Sequence, residues 1–162
     1  MNRRKFLLSG LSGGVSVAAL TWMMGGTNAS TGKQFEIMKT DEEWKAILTE
    51  EQFQVLRKEA TERPFTSPLN DEKRAGLFHC SGCDLPLYDS KTKFDSGTGW
   101  PSFYDALENA VGTREDNSFF MKRTEVHCAR CGGHLGHIFN DGPQPTGLRH
   151  CINGVSLKFV PA

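Results

Sequence analysis

The stretch "CARCGGHLGHIFNDGP", residues 128–143, contains the second of two Cys-x-x-Cys units in this chain. The first unit is "CSGC", residues 80–83. Two such units can supply the four thiolates of a tetrahedral zinc site, because the two-residue gap lets both sulfurs of one unit turn toward one ion. A closed four-thiolate site leaves no position for a substrate, so the ion would hold the fold and perform no chemistry. We predict one structural zinc per chain, bound by Cys80, Cys83, Cys128 and Cys131.

The two units are separated by the 44 residues 84–127, a longer gap than in a compact zinc ribbon. The ion would therefore tie two distant hairpins together. One alternative is a pair of structural disulfides, which an exported protein can form. Another is a redox-active Cys-x-x-Cys of the thioredoxin type, although no helical pattern follows either unit.

The N-terminal residues 1–29 have the pattern of a signal peptide, with a basic start, a weakly apolar middle and small residues before the end. Within "NRRKFLL", the adjacent Arg3 and Arg4 favour a twin-arginine signal and export to the periplasm. Cleavage is expected after Ala29. A general secretory signal and an uncleaved membrane anchor are the alternatives. Folding before export would let the chain load zinc in a reducing compartment.

The charge balance gives no reason to expect a nucleic-acid partner. The chain has 19 basic and 19 acidic residues. Three of the basic residues fall within residues 1–29, so the rest carries 16 basic and 19 acidic residues. A mildly acidic body does not attract phosphate backbones or anionic membranes. No later stretch is apolar enough to span a bilayer. Separately, we expect the protein to be a monomer.

Residues 30–39 are interpreted as a linker and residues 40–162 as one domain. Two capping boxes, Thr40 with Glu43 and Thr49 with Gln52, predict two helices at the front of this domain. The apolar residues expected to face the core are Trp44, Ile47, Leu48, Phe53 and Leu56. From residue 76 onward, short runs such as "GLFHC", "LPLY", "SFFMKRTEVHC" and "VSLKFV" are separated by turn residues, which predicts strands.

The fifth cysteine, Cys151, stands alone in "GLRHCIN", residues 147–153. A period of two along "CINGVSLKF" predicts one strand that carries Cys151 and Asn153 on its core-facing side. A buried structural cysteine is one interpretation. The nearby Arg149, His134 and His137 favour a nucleophile, because a cation stabilises a thiolate and histidines carry protons.

Three motifs resemble the B-type peptide-methionine sulfoxide reductases: "KFDSGTGWPSF" (93–103), "CARCGGHLGHIFNDGP" (128–143) and "TGLRHCINGVSLKF" (146–159). The match runs from about Thr40 to Phe159. The resemblance implies a β-rich fold of two mainly antiparallel sheets with flanking N-terminal helices, formed by a single zinc-stabilised domain. The implied catalytic residues are the nucleophile Cys151, the acid–base residues His134 and His137, and the substrate-positioning Asn153. The implied substrate-binding residues are Trp100, which contacts the substrate methyl group, together with Asp141 and Arg149.

The resemblance also implies the reaction, in which Cys151 reduces the R epimer of methionine sulfoxide, mainly in oxidised proteins or peptides. Many relatives carry a resolving cysteine before "GWPSF", whereas this chain has Thr98. With four cysteines assigned to zinc, none remains to condense with a sulfenic acid on Cys151. A thioredoxin-like dithiol is therefore the expected reductant. A zinc-knuckle binding module and a protein disulfide reductase are the other two classes; the first needs a basic or aromatic surface, and the second a redox-active cysteine pair.

Overall fold

The computed structural model describes residues 34–118 and 122–162. The predicted signal peptide and the first residues of the predicted linker lie outside these ranges, and the division at residues 29 and 39 stays a prediction. The described residues form two helices and nine strands, with short 3-10 turns at Pro68–Asn70, Ser90–Thr92 and Gly154–Ser156. None of the described helices has the length and apolarity needed to cross a bilayer.

Both predicted capping boxes are present. Helix α1 spans Asp41–Ile47 after the N-cap Thr40, and helix α2 spans Glu50–Lys58 after the N-cap Thr49. The buried faces contain Trp44 and Leu48 in the first segment, and Phe53 and Leu56 in the second. The prediction for Ile47 is wrong, because its side chain is 57% exposed. Helix α1 has only seven residues and meets the core along a single stripe, which leaves Ile47 on the solvent side.

Two antiparallel sheets confirm the predicted fold class. The first sheet has the order β2 (Pro86–Asp89), β1 (Gly76–Cys80), β9 (Leu157–Pro161). The second has the order β3 (Lys93–Phe94), β4 (Ser102–Phe103), β8 (Arg149–Ile152), β7 (His134–Phe139), β6 (Arg123–Cys128), β5 (Val111–Asp116). Every neighbouring pair of strands is antiparallel.

The sheets meet through fully buried aromatic rings. Phe78 of β1 packs against Phe103 of β4 at a centroid distance of 5.0 Å, and Tyr88 of β2 stacks on Phe103 at 4.3 Å. Burial of each large aromatic ring contributes roughly 2–3 kcal/mol of hydrophobic free energy. This aromatic layer positions β8, because β4 is its hydrogen-bonded neighbour.

The prediction of a single strand through "CINGVSLKF" is wrong. Strand β8 ends at Ile152, a 3-10 turn follows, and β9 begins at Leu157 in the other sheet. Gly154 fixes the point at which the chain passes from one sheet to the other. Its N–H donates to the buried Glu62 carboxylate, and a side chain at this position would collide with the Ser67 hydroxyl. Cys151 therefore belongs to the six-stranded sheet, whereas the apolar residues from Leu157 onward cover the three-stranded one.

Candidate active site and metal centre

Four cysteines form one compact cluster, as predicted. Cys80 and Cys83 come from the end of β1 and its turn, and Cys128 and Cys131 from the end of β6 and its turn. The Sγ atoms of Cys80 and Cys131 lie 3.8 Å apart, those of Cys83 and Cys128 lie 3.5 Å apart, and all four lie within 4.8 Å of one another. A tetrahedral ion with Zn–S bonds of about 2.3 Å requires sulfur separations of about 3.8 Å. The cluster therefore has the donor type and spacing to hold a metal ion, and it joins hairpins from the two sheets.

The alternative of structural disulfides does not describe this arrangement, because all five cysteines are free thiols. The two front helices pack over the cysteine cluster. Arg57 of α2 donates a hydrogen bond to the Cys131 carbonyl at 3.1 Å and lies 5.0 Å from the Trp44 ring. Gly82, in the first Cys-x-x-Cys turn, faces the same indole and the Leu56 side chain. The two front helices thus pack directly against the cysteine cluster.

Cys151 lies at the wall of a separate cavity of about 150 Å³. In the ladders of β8 it pairs with Ser102 of β4 on one side and with His137 of β7 on the other. Gly136 leaves room here, because a Cβ at this position would collide with the Cys151 carbonyl. The residues that line the cavity are Thr61, Trp100, Arg123, Gly136, His137, Phe139, Cys151 and Asn153.

The charge next to Cys151 comes from Arg149. Burial raises the pKa of the Cys151 thiol above its ordinary value, and the Arg149 guanidinium opposes this. Arg149 is itself held by two hydrogen bonds to the Asp141 carboxylate, at 2.8 and 3.0 Å, and lies 4.5 Å from the Phe139 ring. Asp141 and Arg149 line a neighbouring cleft and not the cavity. Their predicted part in substrate binding stays a prediction; their contacts orient a positive charge beside the thiol.

The two histidines differ in their access to the cavity. His137 lines it, and its Nε2 lies 2.8 Å from the Asp116 carboxylate. Burial lowers the pKa of His137 below its ordinary value, and Asp116 opposes this. His134 is buried behind it, with Nδ1 2.7 Å from the Glu125 carboxylate and the two imidazole rings 5.4 Å apart. Of the pair, only His137 reaches the wall that Cys151 shares.

Sequence reasoning missed both carboxylate partners. Burial raises the pKa of Glu125, but the contacts with His134 and Arg114 outweigh it, so this carboxyl titrates below its usual range. The hydroxyl of Ser118 and the contact with His137 hold the pKa of Asp116 well below its usual range as well. An acid in the middle of the strand run "RTEVHC" was the one signal for Glu125. Nothing in the sequence distinguishes Asp116 from an exposed acid.

Glu62 is a third residue that sequence reasoning missed. Its backbone carbonyl accepts a hydrogen bond from the Trp100 indole Nε1 at 2.9 Å, and its backbone N–H donates to the Asn153 Oδ1 at 2.9 Å. The Asn153 Nδ2 donates to the Leu135 carbonyl at 3.0 Å. Burial raises the pKa of the Glu62 carboxyl, which Gly154 opposes through its N–H. Trp100 and Asn153 thus form cavity walls whose polar atoms are bound to the backbone.

Thr98 occupies the position next to Cys151 that the resemblance assigns to a resolving cysteine in other members. Its Oγ1 lies 4.0 Å from the Cys151 Sγ. The metal cluster is much farther away. Cys151 aligns with Glu125 across β7, and Cys128 lies three residues farther along β6. This places their Cα atoms on the order of 14 Å apart, well beyond the reach of a disulfide.

A cysteine at the wall of a small cavity, with a histidine, an arginine and a tryptophan around it, is an arrangement suited to thiol chemistry. The metal cluster lies elsewhere and is closed. The comparisons identify the class of protein: residues 48–161 match the SelR domain. The chain is 62% identical over 128 residues to a protein of Pseudomonas putida W619 named peptide methionine sulfoxide reductase MsrB, covering 78% of this chain and 96% of the relative.

An archaeal relative with the same name, from Methanosarcina mazei, is 57% identical over 128 residues, covering 78% of this chain and 91% of the relative. A further one, from Pseudomonas entomophila, is 58% identical over 127 residues, covering 78% and 97%. The chain therefore belongs to the B-type peptide methionine sulfoxide reductases, a family of oxidoreductases.

Proposed function

We propose that this enzyme reduces the R epimer of methionine sulfoxide, mainly in oxidised proteins, through a sulfenic acid on Cys151. The observation that carries the proposal is the position of Cys151, half-buried in a small cavity between Trp100 and His137. The family membership supports the reaction, and the chain's own residues supply a nucleophile, a proton carrier and an apolar wall.

The chemistry transfers one oxygen atom between two sulfurs. The Cys151 sulfur attacks the sulfoxide sulfur, and the oxygen must be protonated before its bond to that sulfur breaks. His137, which lines the cavity, is the donor within reach. The protonated oxygen then passes from the substrate sulfur to the Cys151 sulfur as the bond between the two sulfurs breaks. Methionine leaves with the electron pair of that bond, and Cys151 carries the oxygen as S–OH. A dithiol then returns Cys151 to the thiol, with a disulfide on the donor and water as products.

The two faces of the cavity support a choice between epimers. Trp100 offers an apolar surface for the substrate methyl group, whereas His137 and Arg123 offer polar groups to the oxygen. In the S epimer the oxygen and the methyl group exchange places, so the oxygen would face Trp100 and the methyl group would face His137 and Arg123. The polar groups would then lack a hydrogen-bond partner, which is costly. Separate turnover assays on the two epimers test this. We expect reduction of the R form alone, and comparable rates for both would overturn the proposal.

Protein-bound sulfoxide is supported by a second cleft beside the cavity. This cleft, of about 370 Å³, shares Trp100 with the cavity and is also lined by Phe65, whose side chain is 73% exposed. Phe65 adopts a left-handed backbone with φ 64° that bulky residues rarely take, and its N–H donates to the Gly99 carbonyl at 2.8 Å. An aromatic ring held outward at this place fits a residue that flanks the sulfoxide in a polypeptide.

The metal is proposed to be one structural zinc per chain, because four thiolates at tetrahedral spacing favour this ion. Residues 1–29 are proposed to direct folded, metal-loaded protein to the periplasm, where a thioredoxin-like dithiol would regenerate Cys151. Replacing Arg3 and Arg4 by lysine keeps the charge and should retain the protein in the cytoplasm. Unchanged export would indicate the general secretory route.

A further inference from the structure

Three hydroxyl groups connect the Cys151 sulfur to the backbone of Trp100. Thr98 Oγ1 lies 4.0 Å from the Cys151 Sγ, Ser96 Oγ lies 2.8 Å from Thr98 Oγ1, and Ser102 Oγ lies 2.8 Å from Ser96 Oγ. Ser102 is fully buried, and its hydroxyl contacts the Trp100 carbonyl at 3.2 Å. We call Thr98, Ser96 and Ser102 the hydroxyl chain.

The direction of these hydrogen bonds follows from counting protons, because each hydroxyl has one proton to donate. The Trp100 carbonyl can only accept, so Ser102 donates to it. The proton between Ser102 and Ser96 must then come from Ser96, and the next one from Thr98. No proton of Thr98 is left for Cys151. The contact with sulfur is therefore made by the Cys151 S–H, and four protons satisfy four contacts.

Ionisation of Cys151 removes one of those four protons, so one contact must be lost. A thiolate is a charged acceptor, and bonds to charged acceptors are about twice as strong as neutral ones. Thr98 then donates to sulfur, Ser96 to Thr98, and Ser102 to Ser96. The lost contact is the one with the Trp100 carbonyl, which at 3.2 Å is the longest of the oxygen–oxygen contacts. The donor and acceptor roles are therefore exchanged at every hydrogen bond that remains in the hydroxyl chain.

We infer that the hydroxyl chain is a reversible support for the nucleophile, in which Thr98 accepts from the Cys151 thiol and donates to the Cys151 thiolate. This role rests on the proposed function, since it assumes that Cys151 reacts. The chain cannot carry the thiol proton away, because a backbone carbonyl ends it. That proton leaves on the cavity side, where His137 and solvent can take it.

Other charged groups also face this sulfur. Arg149, on the same strand as Cys151, favours the thiolate, and Asp141, in the loop that precedes this strand, opposes it. His137 faces it from β7, and Arg123 lines the same cavity. None of these groups belongs to the hydroxyl chain, so variants of the chain leave them in place. Thr98 also favours the thiolate in the balance that sets the pKa of Cys151.

The test is the pH dependence of Cys151 alkylation by iodoacetamide in reduced, zinc-loaded full-length enzyme, followed by mass spectrometry of the Cys151 peptide. Thr98→Val keeps the shape but removes the donor, so alkylation at neutral pH should slow by roughly tenfold, the low end for a hydrogen bond to a charged group. In Ser96→Ala the contacts of the Ser96 hydroxyl are absent, including the one from the Thr98 N–H at 3.4 Å, so Thr98 can donate to sulfur while Ser102 stays bound to the Trp100 carbonyl. This variant therefore loses no further contact when Cys151 ionises. It should accelerate alkylation by roughly two- to tenfold.

Thr98→Ser keeps the hydroxyl and should restore the wild-type profile, and Thr113→Val, on exposed β5, is the matched control. Opposite signs for Thr98→Val and Ser96→Ala support the chain, because a packing defect would move both the same way. A wild-type profile for Thr98→Val, or slowing by both variants, overturns it. The assay uses no sulfoxide, so a failed substrate assignment would appear separately, as absent turnover.

Discussion

His137 lies directly opposite Cys151 in the β7–β8 ladder, and its Nε2 is bound to the Asp116 carboxylate at 2.8 Å. The sulfur that would attack the substrate and the proton that would be donated to it therefore come from neighbouring strands of one sheet. His134 stands one layer behind, bound to Glu125. This difference in access means that the two histidines should be needed for different reasons, His137 at the cavity and His134 as the partner of a buried carboxylate.

The first prediction concerns the pH profile. Burial lowers the pKa of His137 below its ordinary value of 6.5, and Asp116 partly restores it. If protonated His137 is the acid, kcat/KM falls as pH rises through this pKa. Asp116→Asn removes the group that raises the pKa, so the falling limb should move to lower pH. Glu115→Gln, at the neighbouring exposed carboxylate that pairs with Lys122, should leave the limb in place.

The histidine variants complete this test. His137→Ala should lose most activity while it keeps the metal, because of the two imidazole rings only that of His137 lines the cavity. His134→Ala should also lose most activity, since it leaves the buried Glu125 carboxylate with one partner fewer. A falling limb that survives in His137→Ala would assign the proton donor to another group.

Glu62 is predicted to hold the cavity walls in place. Glu62→Ala leaves the Gly154 N–H unpaired in a buried setting, which should lower the free energy of unfolding by about 1–3 kcal/mol. It should also raise KM, because without the side-chain anchor to Gly154 the Glu62 backbone can shift, and that backbone binds Trp100 and Asn153. Glu62→Gln keeps an acceptor oxygen and should retain most of both properties. Chemical denaturation and steady-state kinetics measure the two effects. If Glu62→Ala and Glu62→Gln have the same free energy of unfolding and the same KM, an acceptor oxygen on the Glu62 side chain is not what holds the cavity walls in place.

The helices and the cysteine cluster could be predicted from sequence because their signals are local. A capping box and a Cys-x-x-Cys unit each fit within four residues, and both had the predicted structure. The exposure of Ile47 escaped the pattern because it depends on where the short helix α1 meets the core.

The division of the last strand could not be predicted, because its cause is distant in sequence. The chain turns at Asn153 and Gly154 since both bind Glu62, about ninety residues earlier. The same distance hid the Glu62 contact with Trp100. Acids such as Asp116 have an ordinary surface pattern, and only the pairing of strands shows that a histidine faces them.

Phe65 is predicted to matter for polypeptide substrates alone. Its exposed ring lines the cleft that adjoins Trp100 but does not line the cavity itself. Phe65→Ala should therefore raise KM for a methionine sulfoxide peptide by roughly three- to tenfold, the effect of about 1 kcal/mol of lost contact. The KM for free methionine sulfoxide should not change. Ile47→Ala, which truncates an exposed apolar side chain on α1, is the control, and equal effects on both substrates would count against the proposal.

The metal cluster is predicted to carry much of the stability of the domain. Cys83→Ser removes one thiolate, so the zinc content should fall and the melting temperature should drop sharply. Elemental analysis of the purified protein should give about one zinc per chain. Cys151→Ser should keep the zinc and the wild-type melting curve while it loses all activity. Iron in place of zinc, or a metal-free protein with an unchanged melt, would contradict this prediction.

The final prediction concerns the oxidised enzyme. After one turnover without reductant, Cys151 should carry a single added oxygen, because the neighbouring residue offers a hydroxyl, a poor nucleophile toward sulfenic sulfur. The nearest cluster ligand along the sheet, Cys128, lies on the order of 14 Å away, so it cannot reach Cys151 without a large rearrangement. Mass spectrometry and a sulfenic-acid trapping reagent detect this species.

Thr98→Cys is the matched variant for that experiment. It places a thiol where the Thr98 Oγ1 lies, 4.0 Å from the Cys151 sulfur, and a disulfide requires about 2 Å. A shift of about 2 Å in the loop of residues 95–99 would close this gap, and Gly97 and Gly99 give that loop the backbone freedom to move. Oxidised Thr98→Cys should therefore lose two hydrogens and show a linkage between residues 98 and 151. If wild-type enzyme instead links Cys151 to a cluster cysteine, the metal site itself takes part in turnover, and direct reduction by an external dithiol is wrong.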